Sequence, residues 1–588
     1  MDIKRLCWAL MAVSALTMGA CSKGGGDGNG PPPPPPQNGG GGDNTVPDPQ
    51  PEPPATPAYS DIPQTDEEAA RFLTQASFGV TRADIQRLRQ IGYAKWIDEQ
   101  LDPAVTPVTT TLDYFVRHEA TGIHRHQFGS RERAMNWLWS AIKAPDQLRM
   151  RIGLALSEIL VVSEVDGKGN LETFRNARYQ DLLAESAHGS YRDLLEQVTT
   201  FPAMGYYLSH AGNRKADPAA NVAPDENFAR EIMQLFSIGL VQLNQDGTPK
   251  LDAASQPIPT YDQDVITGMA RVFTGWTYAG VRRFNNQDHE SYVPMECHPE
   301  FHDDKPKTIF NGIVIDEGND CRKSLARTID ALAAHPNTAP FVSRQLIQRF
   351  VTSNPSPAYV KRVADVWNAT EGNIGKVVKA ILLDNEARIP PAAGDAVFGK
   401  AREPLVNVAT IYRAFNAQYE FPNGGTGRIN WNFWGAGTMN DHIGQESLRA
   451  PTVFNFFEPG HRLPGNNGAE GIQAPEFQII NEATYMSGVN YYSRVADYAN
   501  TGEGYVVQAR PGPTLNLAPL IRPVEAGDYA AAIEELNLLL MYGRMSPQTK
   551  DTMSAMATGL AAQRASAPSI AHSLLVLAVA SPEFAIQR

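Results

Sequence analysis

The segment PDENFAREIMQLFSIG (224–239) carries the residues best placed for acid–base chemistry. Its apolar residues recur every three or four positions, and a separate face holds the polar side chains of Asn227, Arg230, Glu231 and Gln234. If that polar stripe faces a cleft, Glu231 can act as a general acid or base, Arg230 can bind an anion, and Asn227 lies beside both. The alternative is structural: the stripe is a solvated face, or a buried Arg–Glu network that fixes helix packing.

The segment DHESYVPMECHPEFHDDKPK (288–307) concentrates side chains that bind metals. Imidazole and carboxylate groups together suit zinc or another divalent metal, so we predict a site built on His298, His302 and Asp303, with His289 near by. The spacing of these ligands is irregular. The alternative is a polar loop that is rich in charge because it is exposed and that is held in place by a disulfide.

Several common catalytic and cofactor motifs are missing from the sequence. It contains no GxSxG, GxxxxGK[ST], HExxH, CxxC or CxxCH pattern. A dinucleotide-binding fold is unsupported, because there is neither a glycine fingerprint nor an alternation of strands and helices. We therefore expect no nucleotide cofactor and no c-type haem, while an enzyme of an unfamiliar class stays open.

The elements that would position these residues are helices. Apolar residues recur at helical spacing in segment after segment, for example QLRMRIGLALSEILVV (147–162) and AAAIEELNLLLMYG (530–543). Thr65 with Glu68 has the pattern of a capping box. Thr81 is placed to start the next helix, ADIQRLRQI, and Gly92 to end it. Further helix-forming segments continue to the end of the chain.

Strand-like alternation is scarce. The segment TIFNGIVID (308–316) is the best candidate, and it predicts a short hairpin. The fold class predicted for residues 61–588 is therefore all-α, as one large multi-helix domain with long loops and at most a small β-hairpin.

Residues 1–20 have the pattern of a lipoprotein signal peptide. Lys4 and Arg5 precede an apolar run over residues 6–16, which is shorter than the roughly 20 residues needed to cross a bilayer. Small residues then lead directly into Cys21, as in a lipobox, where the cysteine thiol is acylated. The alternative is an ordinary secretory signal with a chance cysteine.

Residues 21–60 form a tether. They are almost entirely Gly, Pro, Asn, Asp and Gln, and such a segment buries too little apolar surface to offset its ordering entropy. Ser22, rather than an aspartate, follows Cys21, and by analogy with lipoprotein sorting this favours the outer membrane. We therefore expect a protein of the cell envelope that is attached to the membrane by its N-terminal lipid, with the face of the outer membrane undetermined.

The cysteine count agrees with export. Of four cysteines, Cys7 lies in the signal peptide and Cys21 is the lipid site, which leaves Cys297 and Cys321. In an oxidising compartment a lone pair most simply forms a disulfide. Closing that loop contributes on the order of 3 kcal/mol in the chain-entropy model.

The overall charge excludes one class of partner. A net charge of −13 argues against binding to nucleic acid and against adsorption on anionic lipid headgroups.

Many of these segments resemble the bacterial "domain of unknown function 1800" family. The matching blocks, in chain order, are AARFLTQASFGVTRADIQRLRQIGYAKWIDEQL, FPAMGYYLSHAGNRK, PDENFAREIMQLFSIGL, YDQDVITGMARVFTGWTY, HPNTAPFVSRQLIQRFVTSNPSPAYVKRV, KAREPLVNVATIYRAF, RAPTVFNFFEPGHRLPG and APEFQIINE. The resemblance runs from about Glu67 to the C-terminus. It implies export and, because such genes often neighbour those of another exported family, an exported protein partner encoded near by. It implies no activity.

Two classes of function stay open. The first is an extracytoplasmic, hydrolase-like enzyme with acid/base carboxylates, for which Glu231 and the His302–Asp303 region must converge on one pocket. The second is a non-catalytic binding or assembly lipoprotein that docks an exported partner or an envelope polymer. The sequence slightly favours the enzyme, because a domain this large with several polar clusters is costly for an adaptor.

Overall fold

The computed structural model describes residues 59–588 except for 121, 123–124, 126–127, 166–172, 285–291, 393–394, 396, 420–438, 464–470, 498 and 501–512. The predicted signal peptide (1–20), Cys21, nearly all of the tether and His289 lie outside the described residues.

Helices make up most of the described chain, which confirms the predicted all-α class. The first part contains α1 (Asp66–Ala76), α2 (Arg82–Ile91), α3 (Tyr93–Leu101), α4 (Leu112–Ala120), α5 (Ser130–Lys143), α6 (Gln147–Ser157), α7 (Thr173–Glu185), α8 (Tyr191–Thr200), α9 (Pro202–Tyr207), α10 (Asn227–Gln234), α11 (Gln263–Val272) and α12 (Cys321–Ala333). The second part contains α13 (Thr338–Phe350), α14 (Pro357–Ala369), α15 (Ile374–Leu383), α16 (Asn385–Arg388), α17 (Pro404–Ala414), α18 (Met439–Ile443), α19 (Glu482–Asp497), α20 (Ala518–Glu525), α21 (Tyr529–Met541), α22 (Pro547–Ala562), α23 (Ala567–Val579) and α24 (Pro582–Ala585). Short 3-10 helices lie at Ser186–His188, Pro218–Ala220, Pro299–Phe301, Phe310–Gly312 and Pro475–Gln478.

The predicted helix ends depend on local capping chemistry. Thr65 Oγ1 accepts a hydrogen bond from the Glu68 amide at 3.2 Å, which satisfies one free N–H group at the start of α1. The Glu68 carboxylate accepts from the Gln64 amide at 2.7 Å rather than from Thr65, so the return half of the capping box is shifted by one residue. Gly92 ends α2 at φ +82°, a conformation that favours glycine.

Among the described residues, every strand is two residues long and pairs with one other. They are β1 (Trp276–Thr277), β2 (Glu296–Cys297), β3 (Lys307–Thr308), β4 (Val314–Ile315), β5 (Lys400–Ala401), β6 (Ala499–Asn500), β7 (Leu515–Asn516) and β8 (Ile586–Gln587). β3 and β4 form the predicted antiparallel hairpin. β1–β2 and β5–β8 are also antiparallel, and β6–β7 is parallel. The β5–β8 pair attaches the end of the described chain to the residues that precede α17.

The core consists of two large hydrophobic clusters that share helix α6. On α6, Leu148 and Ile152 belong to the first cluster, which is built mainly from α1–α3 and α8–α15, while Met150 and Leu154 belong to the second, built mainly from α4, α5 and α17–α24. Gly153 lets α6 approach α7 closely, since an added Cβ atom would lie 3.1 Å from the Ala184 backbone. Helix α6 is therefore buried on all sides, and its charged residues must find partners inside the protein.

The predicted disulfide is confirmed. Cys297 of β2 is bonded to Cys321, the first residue of α12, with the two Cα atoms 5.8 Å apart. The bond joins the loop of predicted metal ligands to the helical core. Among the described helices, none combines the length and apolar character that a membrane span requires.

Candidate functional site

Helix α10 separates the three residues of the predicted acid–base stripe. Asn227 is exposed at the start of the helix. Arg230 turns to the surface, where its Nη2 atom donates to Glu226 Oε2 at 2.8 Å and to Gln263 Oε1 at 3.0 Å. Glu231 is instead 8% exposed, burial raises the pKa of its carboxyl group, and its Oε2 atom has no hydrogen-bond partner. Glu231 is thus the one residue of the three whose environment is perturbed in the way that acid–base catalysis uses.

The predicted metal ligands already have protein partners. The Nδ1–H group of His302 donates to the Thr274 carbonyl at 2.8 Å, which leaves Nε2 to accept from the Ser324 hydroxyl at 3.0 Å. Asp303 accepts two hydrogen bonds from the Arg271 guanidinium, at 2.7 and 3.0 Å. These contacts link the loop to α11 and α12.

The His298 side chain has a partner of its own. Its Nδ1 atom is 3.4 Å from Glu300 Oε1, near the surface. Within the described part of the chain, no group of three or more His, Cys, Asp or Glu side chains is arranged to hold a metal ion. His289 lies outside the described residues, so the metal prediction stays a prediction.

A cavity of about 1180 Å³ lies elsewhere, between β5, the start of α17, the segment 477–492 and the C-terminal residues 579–586. Its walls are mostly apolar and aromatic, and they include Ile443, Phe477, Ile480, Tyr485, Tyr492 and Phe584. The predicted site residues Glu231, His302 and Asp303 are not among the lining residues. Cavities of this size and composition are typical of sites for small organic ligands.

Arg402 is the one lysine or arginine among the described residues that line this cavity. Its side chain is 2% exposed, and its guanidinium carbon lies 5.1 Å from the ring centroid of Phe584. Nη2 donates to the Leu540 carbonyl at 3.2 Å, whereas Nε and Nη1 have no hydrogen-bond partner. Burial lowers the pKa of Arg402 to about 10, which still leaves it charged at neutral pH.

A second set of side chains, nearly all of them charged, is buried on the other side of the segment that carries Arg402. This charged cluster consists of Arg151, Glu158, Arg349, Lys400, Glu403, Gln445 and Glu476, all of them buried. Lys400 Nζ lies 3.0 Å from Glu476 Oε1 and 3.6 Å from Glu403 Oε1. Arg349 Nε lies 3.2 Å from Glu158 Oε2. Lys400 and Glu403 therefore face the charged cluster, while Ala401 and Arg402 between them line the cavity.

Within the charged cluster, Glu158 and Glu403 form a carboxyl–carboxylate pair. Gln445 Nε2 donates to both, at 3.1 Å to Glu158 Oε1 and 2.8 Å to Glu403 Oε2. Burial, together with the negative charge of Glu403, raises the pKa of Glu158 well above its usual range. Burial also opposes ionisation of Glu403, but the Lys400 ammonium group and the hydrogen bond with Glu158 outweigh it and lower the pKa of Glu403. The two shifts have opposite signs, so within the pair Glu158 keeps a proton more readily and Glu403 loses one more readily.

Sequence patterns did not reveal the cavity or the charged cluster. Glu403 and Arg402 stand in KAREP, which looks like an ordinary polar connection before a helix. Glu158 comes after an apolar run and looks like the end of a helix. One usable signal was present: Arg149 and Arg151 lie in a segment that is otherwise apolar, which predicts a buried helix with charges that need internal partners.

Comparison with known proteins gives one match. The family described as "Protein of unknown function (DUF1800)" matches residues 71–586. No curated protein and no solved structure matches the chain.

Proposed function

Because this chain belongs to the DUF1800 family, whose function is unknown, we propose a function from its geometry: an exported, lipid-anchored binding protein that holds a ligand with an apolar body. The observation that carries the proposal is the apolar cavity of about 1180 Å³. The cavity favours the binding class of function over the enzyme class that the sequence slightly preferred.

The placement of the cavity supports ligand binding. Its walls come from segments that are distant in the chain and are joined by the β5–β8 pair, in which Lys400 faces Gln587 and Ala401 faces Ile586. Tyr485 donates to the Ala580 carbonyl at 3.0 Å, which ties α19 to the segment after α23. A pocket with fixed walls loses little conformational entropy when a ligand enters.

The proposed location of the protein at a membrane fits such a role. A lipid on Cys21 and the tether of residues 21–60 would hold the binding domain near a bilayer, where apolar molecules partition. We propose that the protein works in the cell envelope, at the outer membrane, and that an exported protein encoded near by delivers or receives the ligand.

Filling the cavity tests the proposal. Gly488 of α19 lines the cavity, and an added Cβ atom there would lie 3.6 Å from the nearest atom, so Gly488→Met is expected to fold and to occupy the space. Gly559→Met is the matched control, because Gly559 is an exposed glycine of α22 with nothing within 4 Å of the added atom.

The measurement is the fluorescence of an uncharged apolar probe, N-phenyl-1-naphthylamine, titrated into the full chain carrying Cys21→Ser. We expect saturable binding to the parent chain and to the Gly559→Met variant, with binding at least about tenfold weaker in Gly488→Met. Equal binding by all three proteins, or no saturable binding by any, would show that the cavity is not a binding site.

A hydrolase that uses Glu231 is the second candidate function. The specific observation in its favour is the buried Glu231 carboxyl group with its raised pKa and unpaired Oε2 atom. It ranks second because His302 and Asp303 are bonded to other protein groups. If Glu231 is catalytic, Glu231→Gln abolishes an esterase or glycosidase activity of the wild-type chain and leaves the urea unfolding midpoint unchanged. If the wild-type chain has no such activity and Glu231→Gln lowers the midpoint, the residue is structural.

A further inference from the structure

The lining of the cavity divides into a buried inner part and an exposed rim. The inner part is made mainly of buried apolar and aromatic side chains, and it includes Ile443, Tyr492, Val579 and Phe584. The exposed lining residues that carry polar side chains are Gln478, Asn481 and Glu482. The cavity therefore opens to water beside these three residues, and its apolar walls lie further in.

The rim is one continuous polar patch. Gln478 Oε1 accepts a hydrogen bond from the Glu458 amide at 2.8 Å. The amide of His461, another lining residue, donates to the Glu458 carbonyl at 3.0 Å, so Gln478 and His461 are bonded to the same residue. Asn481 and Glu482 come directly afterwards, at the start of α19. The Gln478 Nε2 and Asn481 Nδ2 groups donate no hydrogen bond within the described part of the chain.

Three polar residues lie in the inner part, and their hydrogen-bonding groups are directed to the protein or closed off. The Tyr492 hydroxyl donates to the Pro404 carbonyl at 3.5 Å. Asn407 Nδ2 donates to the Arg402 carbonyl at 3.4 Å, and Arg402 Nη2 donates to the Leu540 carbonyl at 3.2 Å. Asn407 Oδ1 and the Nε and Nη1 atoms of Arg402 have almost no accessible surface. A polar head group placed here would lose its water without gaining hydrogen bonds.

We propose that the cavity takes single-chain amphiphiles tail first, with the end of the chain against the inner walls and the head group in water at the rim. This inference rests on the proposed function and names its ligand class. Because the tail is the part that leaves water, each CH2 group that enters the cavity tightens binding about fourfold. The charge of the head group changes binding little, since water screens its interaction with an exposed carboxylate such as that of Glu482.

Two tryptophan reporters test the orientation. Phe584→Trp places a reporter at the inner wall, and Phe477→Trp places one beside the rim, since half-buried Phe477 lines the cavity next to exposed Gln478. Tyr492→Trp, also at the inner wall, replaces Phe584→Trp if that variant does not fold. Tyr529→Trp is the matched control, because Tyr529 is a half-buried aromatic residue of α21 that is not among the lining residues. None of the lining residues is a tryptophan, so the signal is the difference from the parent chain.

The ligands are 12-bromododecanoate, with bromine at the chain end, and 2-bromododecanoate, with bromine beside the head group. Each is added to the full chain carrying Cys21→Ser at about pH 8, where both acids are ionised. Bromine quenches tryptophan fluorescence only at short range. With 12-bromododecanoate we expect Phe584→Trp to lose most of its extra fluorescence and Phe477→Trp to keep its own. With 2-bromododecanoate the two variants should exchange these responses, and Tyr529→Trp should respond to neither ligand.

Affinity gives a second readout that needs no reporter. Displacement of N-phenyl-1-naphthylamine should show dodecanoate binding about fifteenfold more tightly than decanoate, because two more CH2 groups are buried. Dodecan-1-ol and dodecanoate should bind within about fivefold of each other, because their head groups stay in water.

Other outcomes would overturn the inference. Quenching of Phe584→Trp by 2-bromododecanoate and not by 12-bromododecanoate would mean that the head group enters first. Equal quenching of both reporters by both ligands would remove the orientation, and a preference of more than about tenfold for the acid or the alcohol would show that the head group is recognised. Each of these results leaves the cavity as a binding site. No saturable binding of any of these ligands would overturn the proposed function together with this inference.

Discussion

The paired carboxyl groups Glu158 and Glu403 should respond in opposite ways to the same substitution. Glu158→Gln replaces a carboxyl group whose pKa is raised well above its usual range with a neutral group of the same shape. Its amide can donate to Glu403 and still accept from Gln445, as the protonated carboxyl does. Glu403→Gln instead removes the negative charge that lies 3.6 Å from the Lys400 ammonium group.

The magnitudes depend on burial. Glu403 is 1% exposed and Lys400 5%, so water cannot replace the lost partner. Removing one member of a buried ion pair costs about 3–5 kcal/mol when the other charge is left alone. Lys400 keeps Glu476 at 3.0 Å, so we expect Glu403→Gln to lose less than that, about 1–3 kcal/mol of the free energy of unfolding. Glu158→Gln should change it by less than about 1 kcal/mol at neutral pH.

The pH dependence gives an independent check. The folded-state pKa of Glu158 lies above its unfolded value, so the stability it contributes is complete below the unfolded pKa and is lost as pH rises toward the folded pKa. Glutamine has no such loss. Relative to Glu158→Gln, the wild-type chain should therefore lose up to about 1.4 kcal/mol per pH unit as the pH rises above 4.5, the usual glutamate value, toward the raised folded-state pKa.

Urea unfolding measured by tryptophan fluorescence determines these differences, and Glu317→Gln, at an exposed glutamate, is the control for loss of a surface charge. The reasoning fails if Glu158→Gln is as damaging as Glu403→Gln. It also fails if the wild-type and Glu158→Gln stabilities run parallel as the pH rises above 4.5, because folding would then not raise the pKa of Glu158.

Two further changes test other buried groups. Burial lowers the pKa of His210 to about 4 in the folded protein. As the pH drops from 6.5 toward 4 the unfolded chain therefore binds a proton before the folded protein does, and the free energy of unfolding falls. His210→Gln should remove about 3 kcal/mol of this loss of stability in acid, seen as a smaller difference between the urea midpoints at about pH 7 and about pH 4. Replacing Cys297 and Cys321 together with serine should lower the free energy of unfolding by about 3 kcal/mol, and reductant should lower the wild type to the same value. A reductant-insensitive wild type would contradict the disulfide's contribution.

Much of the fold could be predicted from local patterns. Thr65 caps the start of α1 because its side chain accepts a hydrogen bond from the first turn, and Gly92 ends α2 because glycine tolerates a positive φ. Both effects act within one helical turn. The β3–β4 hairpin is equally local. The disulfide was predictable from the expected oxidising compartment and the count of cysteines rather than from geometry.

The site could be predicted less well, because its contacts join distant residues. On α10, spacing placed Arg230 and Glu231 on one stripe, yet adjacent residues lie about 100° apart around a helix. One points to Glu226 at the surface and the other into the core. The pairing of Glu158 with Glu403 depends on packing between helix α6 and the start of α17, which no periodicity in either segment encodes.

The buried arginines differ in what balances their charge. Arg133 and Arg149 have carboxylate partners, Glu164 and Asp146. Three others have no carboxylate within 4.0 Å among the described residues; each donates to a backbone carbonyl and lies over a phenylalanine ring, and they are Arg71, Arg151 and Arg402. Carbonyl dipoles and ring faces recover only part of the cost of removing a charge from water. Replacing one of these three with methionine is therefore expected to cost less of the free energy of unfolding than replacing Arg133, whose loss would leave the buried Glu164 carboxylate without its partner.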